Sequence, residues 1–163
     1  MRSIVNRYLP RIGKASYGPG RIVFRIVDAF QPRSTELQNA IALEALLRCL
    51  IDLNILWLQV HPYTPPLYQS GVYYERTIIW DTIPALYARG FGDCKSLTAA
   101  RIAELFMAGY HTVPVFRFDT EQYGTMFHIL VMMLSGLNED PSKILGMVGS
   151  QELASMNIHT SYW

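Results

Sequence analysis

The sequence predicts a single α+β domain, with helices through its first two thirds and a small antiparallel sheet near its end. Three observations carry that prediction. The stretch IALEALLRCLIDLNILWLQV (41–60) keeps apolar residues at helical spacing around Glu44, Arg48, Asp52 and Asn54. A second helical stretch opens at Cys94 and closes at Gly109. Two β-branched runs, TVPVFRF (112–118) and MFHILVMML (126–134), then flank the polar DTEQYGT at hairpin spacing. At 163 residues, half apolar and 17% charged, the chain is long enough for one hydrophobic core and too short for two.

The elements follow in order. Residues 1–20 are rich in Arg, Gly and Pro and read as a basic arm or loop, leaving 21–163 as the domain. RIVFRIV (21–27) is a short strand. Thr35 and Gln38 have capping-box spacing, and Leu37, Ile41, Leu46, Leu50, Leu53 and Trp57 mark one helix running to about residue 59, before Pro62. HPYTPPLYQSGVYYER (61–76) has no helical period and reads as an extended surface loop. A short helix spans 81–89 and ends at Gly90. In the Cys94 helix, Leu97, Ala100, Ile102, Leu105 and Phe106 form the core-facing side. SGLN (135–138) is a turn, and EDPSKILGM (139–147) a loop or short helix.

Formal net charge is +1, unevenly spread. Residues 1–33 hold seven Lys/Arg against Asp28, a balance of +6, while residues 34–163 hold seven against twelve acids, a balance of −5. The arm is either a solvated terminus or a surface for an acidic partner. Its cations are scattered among apolar residues and form no specific nucleic-acid motif. No apolar secretory leader is visible, and the charges within 41–60 argue for an amphipathic helix against a membrane span. Cys49 and Cys94, without a CxxC, suggest free thiols in a reducing compartment. Cys49, among leucines, reads as a buried spectator.

The chemistry concentrates at GFGDCKSLTAARIAEL (90–105). A cysteine attacks as thiolate, and a helix N-terminus favours that anion through its unpaired N–H groups and dipole. Asp93 is the expected N-cap, placing Cys94 in the first turn, and Gly92 admits the chain without side-chain obstruction. A thiol also needs an imidazole, and the imidazole an orienting group. Of His61, His111, His128 and His159, His128 stands in the middle of the apolar strand FHILV, as a core residue or as a catalytic base. Asp140, in the downstream NEDPS, is a carboxylate that a neighbouring strand or loop can bring to it. Lys95 either assists a thiolate or points into solvent. Met126, Met132, Met133 and Met147 read as core filling, or as a hydrophobic contact surface. Spacing offers no metal site and no phosphate loop, so no cofactor is expected.

GDC at a helix start, a histidine in the second following strand and DPS shortly after resemble the transglutaminase-like superfamily of papain-fold cysteine enzymes. The resemblance covers roughly residues 75–147, with 34 residues from Cys94 to His128 and 12 from His128 to Asp140. WDTIPALYARGFGDCKSLTAARIAEL, FHILV and EDPSKILGM also look like short proteins encoded by tailed bacteriophages. The resemblance implies a transglutaminase-like fold whose Cys helix packs on an antiparallel sheet. It implies Cys94 as nucleophile, His128 as general base and Asp140 as the group orienting the imidazole. The Cys94 N–H would serve an oxyanion hole, with Trp80 as candidate second donor or as a buried core residue. Ile129 and Leu130 stand where the superfamily commonly has a small residue and a tryptophan, and Glu139 is a second carboxylate beside Asp140. The implied activity is acyl transfer on a protein or peptide by a peptidase, amidase or transamidase. The alternative is a virion assembly protein, in the host cytoplasm or in the particle. It would bind other virion proteins through the basic arm and the Tyr/Pro loop (63–74).

Overall fold

The computed structural model describes residues 11–18, 21–27, 36–121 and 124–148. Residues 11–18, expected as arm or loop, form strand β1 (Arg11–Gly18), paired antiparallel with β2 (Arg21–Val27). The register sets Gly18 against Arg21. The first ten residues lie outside the described part.

Helix α1 (Glu36–Val60) buries Ala42, Leu43, Leu47, Leu50, Ile51 and Asn54. Its expected cap, Thr35, lies outside the described residues. Cys49 is exposed, correcting its reading as a buried spectator: its neighbours Leu47, Leu50 and Ile51 take the inward positions and leave it on the outer face. After the helix, His61 stacks on Trp57 with ring centroids 3.5 Å apart.

The Tyr/Pro segment is not purely a surface loop. Leu67, in a 3-10 turn (Leu67–Gln69), and Val72 are both buried in the core. Isolated among prolines and tyrosines, they carry no period that sequence could reveal. The segment continues into β3 (Tyr73–Tyr74). Helix α2 (Ile83–Arg89) follows and ends at Gly90, whose φ of 82° is the left-handed conformation glycine adopts freely. Strand β4 (Phe91–Gly92) pairs parallel with β3, Tyr73 opposite Phe91 and Tyr74 opposite Gly92.

Helix α3 (Cys94–Met107) is the centre of the molecule. Leu97 and Ala100 join Leu67, Val72, Ile83 and Leu86 in one apolar cluster. Ala99, Ile102 and Leu105 join Leu47, Leu50 and Ile51 of α1 in another. With both sides covered, the alanines at 99, 100 and 103 admit close approach of neighbouring elements. Phe106, expected in the core, is instead half exposed and lines an open groove with Arg48, Asp52 and His111.

The chain then forms a three-stranded antiparallel sheet in the order β5 (Thr112–Glu121), β6 (Gly124–Met133), β7 (Asn138–Glu139). The hairpin pairs continuously from Thr112↔Met133 to Glu121↔Gly124, so most of the expected polar loop is strand. Ile129 and Val131 of the middle strand complete the α1–α3 cluster. Helix α4 (Pro141–Ile144) closes the described body. The architecture is α+β with a small antiparallel sheet, though a β-hairpin precedes the helices. Among the described residues, no helix is long and apolar enough to cross a membrane.

Candidate active site

Three elements converge on His128. It lies on β6, which is tied to α3 by the Thr98 hydroxyl donating to the Ile129 carbonyl at 3.0 Å. That bond is buried and sits one residue from His128, so it fixes the strand's height along the helix. The imidazole Nε2–H donates to Asp140 Oδ2 at 2.9 Å. The Cys94 thiol lies beside the same imidazole and, after Asp140, contributes to raising its pKa. Cys94, His128 and Asp140, far apart in sequence, are therefore joined in one chain of contacts.

Each member is held by local chemistry. Asp140 is the N-cap of α4: its Oδ1 accepts from the Lys143 N–H at 3.2 Å while Oδ2 holds the imidazole. Pro141 at the first helical position supplies the preset φ that such a start favours. One carboxylate thus serves as cap and as imidazole acceptor, and the first task limits its rotation for the second. Burial opposes Asp140 ionisation, but the bonds from His128 and the Lys143 N–H hold its pKa below the ordinary value. The bond to Asp140, then the neighbouring Cys94, against the cost of burial, raises His128 from 6.5 to about 9. At neutral pH the ring is therefore protonated, donating to the Asp140 carboxylate.

Cys94 is the first residue of α3, after Asp93 in extended conformation (φ −109°, ψ −175°). Leu97 N–H donates to the Asp93 carbonyl at 3.0 Å, the first bond of the helix. The helix N–H groups ahead of it have no intrahelical partner and can receive an anion. A Cβ on Gly92 would lie 2.5 Å from Leu86 Cδ1, so any larger residue would force the Leu86 side chain to shift where the chain enters the helix beside α2.

Asp93 has the backbone of an N-cap, but its side chain makes no cap bond. It pairs with the Lys95 ammonium, which also donates to the Thr77 carbonyl at 2.5 Å. Burial pushes the Asp93 carboxyl up, and Lys95 partly offsets this. Lys95 therefore points neither at the thiol alone nor freely into solvent. Its ammonium also lies 5.8 Å from the centroid of Trp80. Trp80, half-buried, packs with Cys94 against the α1–α3 cluster.

Glu139, the second carboxylate, faces away from the imidazole. It receives the Arg101 guanidinium at 2.6 and 3.4 Å and the Tyr68 hydroxyl. Arg101 also reaches Glu104 at 3.2 Å and lies 4.9 Å from the Tyr68 ring centroid. Glu104 accepts in turn from the Leu67 N–H at 2.5 Å. This half-buried network joins α3, β7 and the Tyr/Pro segment. Nothing in the sequence announced it, because its members are separated by up to 71 residues.

His61 and His111 lie elsewhere, the first on Trp57 and the second on the open groove of about 380 Å³, which shares no residue with the triad. His159 and the side chain of Met126 lie outside the described residues. Met133 packs against the α1–α3 cluster, as core filling requires. Among the described residues, no three His, Cys, Asp or Glu side chains gather closely enough to share a metal ion. No protein-family model, curated protein or solved structure matches the chain.

Proposed function

We propose that this chain is a cysteine-dependent acyl-transfer enzyme with a transglutaminase-like arrangement, acting on an amide or ester of a protein or peptide. The observation that carries the reading is the imidazole of His128 held between the Asp140 carboxylate and the Cys94 thiol. Cys94 is the nucleophile. It stands in the first turn of α3, beside the protonated imidazole of His128. In the reacting form the thiol proton already sits on His128, which delivers it to the leaving group, while Asp140 keeps the ring oriented and stabilises its charge. The backbone N–H of Cys94 supplies one donor to the carbonyl oxygen as it gains charge. The acceptor of the acyl group decides between hydrolase and transamidase. Water is always present, so hydrolysis is the default outcome.

The test is the rate of Cys94 alkylation by iodoacetamide against pH, with exposed Cys49 as internal reference and His128→Ala alongside. Cys94 is expected to react faster than Cys49 near neutral pH and to lose that advantage in the variant. Equal rates, indifferent to His128, would sink the enzyme reading. Cys94→Ala should then be screened against peptide and amine substrates; it should abolish acyl transfer and keep the fold.

A second reading, an assembly protein of a phage particle using the same fold as an interaction module, is favoured by the Tyr/Pro segment and its continuation. Tyr63 and Ile78 there are 98% and 94% exposed. Such large, bare side chains are the residue types that protein contacts bury. The two readings are compatible, since an assembly protein can cleave or crosslink its neighbours.

A further inference from the structure

The site has one evident oxyanion donor, the Cys94 N–H, and acyl transfer usually employs two. Strand β3 runs beside the Cys94 helix start and also touches the Asp140 side. Tyr74 pairs with Gly92, and the Glu75 N–H donates to the Gly92 carbonyl at 2.9 Å. On its other side, the Tyr74 N–H donates to the Leu145 carbonyl, just past α4, at 2.7 Å. Two backbone bonds therefore fix Tyr74 between the elements that carry the nucleophile and the carboxylate.

Three tyrosines pack against the cluster of Leu67, Val72, Ile83 and Leu86: Tyr68, Tyr74 and Tyr87. Two of them commit their hydroxyls to protein partners. Tyr68 donates to Glu139, and Tyr87 to the Pro65 carbonyl at 3.0 Å. For Tyr74 there is no such bond among the described residues. Its phenol instead lies within electrostatic reach of Cys94, Asp93 and Asp140, and of the Arg76 guanidinium. The ring packs against the core cluster, and its backbone is held between the start of the Cys94 helix and the end of α4, which places the residue beside the triad.

We infer that the Tyr74 hydroxyl is the second oxyanion donor of this site, acting with the backbone N–H of Cys94; this rests on the acyl-transfer reading above. In the acylation step the Cys94 sulfur bonds the carbonyl carbon, and the carbonyl π pair moves onto oxygen. The N–H and the phenol O–H donate to that oxygen. The pair then returns, the bond to the leaving group breaks, and His128 delivers the proton to the departing atom. Burial first, then the Cys94, Asp93 and Asp140 charges, raises the phenol pKa, so the hydroxyl keeps the proton it must donate. Trp80, the donor suggested by resemblance, packs half-buried against the α1–α3 cluster, with the Lys95 ammonium 5.8 Å from its ring centroid.

The experiment uses the full chain with Cys49→Ser as background. Two reactions of the thiol are followed: acylation by p-nitrophenyl acetate, which passes through an oxyanion, and alkylation by iodoacetamide, which does not. Tyr74→Phe keeps the ring and removes the donor. It should slow acylation on the order of 100-fold while leaving alkylation near the parent rate. Tyr73→Phe, whose exposed hydroxyl bonds Glu75, should change neither rate. If Tyr74→Phe acylates like the parent, or loses both reactions equally, Tyr74 is no oxyanion donor. Should Cys94→Ala acylate as fast as the parent, the acyl-transfer reading itself fails, and this inference with it.

Discussion

Replacing Asp140 by asparagine and by alanine separates its two tasks. In the folded chain His128 is raised from 6.5 to about 9, first by Asp140 and then by Cys94. A shift of that size is worth roughly 3 kcal/mol in full. The pair is about a fifth exposed, and Cys94 supplies part of the effect, so about 1–2 kcal/mol belongs to the charge of Asp140 after screening. The sign follows from a raised histidine: the stabilisation is complete below 6.5 and is lost as pH climbs through about 9. In Asp140→Asn the side-chain carbonyl still accepts from the Lys143 N–H, so this variant keeps the cap and loses the charge together with the acceptor that faced the imidazolium. It should unfold at lower urea than the parent at pH 6 and approach the parent near pH 10. Asp140→Ala loses the cap as well, about 1 kcal/mol more at every pH. In thermal scans at pH 6, about 1–2 kcal/mol corresponds to a Tm lower by roughly 2–8 °C for a chain of this size. Matching midpoints for Asp140→Asn and parent at pH 6 would refute the argument, as would a gap that persists undiminished at pH 10.

Three further outcomes are open to simple measurement. Gly92→Ala should cost about 1–3 kcal/mol by urea unfolding, since its Cβ would sit 2.5 Å from Leu86 Cδ1 in the filled core; an unchanged midpoint would mean that Leu86 moves freely. Thr98→Val should cost about 1 kcal/mol and also slow Cys94 alkylation, because the bond to Ile129 O sets the height of His128 against α3. A stability loss with unaltered thiol chemistry would leave Thr98 a purely structural tether. Cys49→Ser should stay within about 0.5 kcal/mol of the parent, as an exposed position allows; a larger loss would place the thiol back in the core.

What sequence revealed and what it hid follow one physical division. Periodicity within an element is local, and so the long helix, the Cys94 helix and the terminal hairpin were legible from apolar spacing alone. The glycines at 90 and 109, with φ of 82° and 85°, marked helix ends because left-handed backbone is cheap only for that residue. Pairings between elements carry no such mark. Leu67 and Val72 reach the core from an irregular segment, and β3 finds β4 through two residues. Cys49 misled because leucine neighbours indicate a helix with an apolar face, without saying which residues lie on it.

The two adjacent carboxylates show how a decision that sequence leaves open is made by packing. Glu139 and Asp140 are chemically alike, and each follows the His128 strand at a suitable distance. What separates them is the register of β7, which sets Glu139 opposite Val131 and Asn138 opposite Met132. Neighbouring strand residues project to opposite faces, so this register sends Glu139 toward Arg101 and frees Asp140, at the strand's end, to cap α4 and meet His128. A slip by one residue would offer Glu139 to the imidazole and strip Arg101 of that carboxylate. A half-buried guanidinium loses more from such a vacancy than the imidazole gains from a longer acid. The Arg101–Glu139–Tyr68 network is thus a register lock for the triad, although none of its members touches the thiol. Glu139→Gln tests this directly. It should cost about 1–2 kcal/mol in stability and, by loosening β7, diminish the His128-dependent reactivity of Cys94. If reactivity stays at the parent level while stability falls, the register is held by the hairpin and helix cap alone.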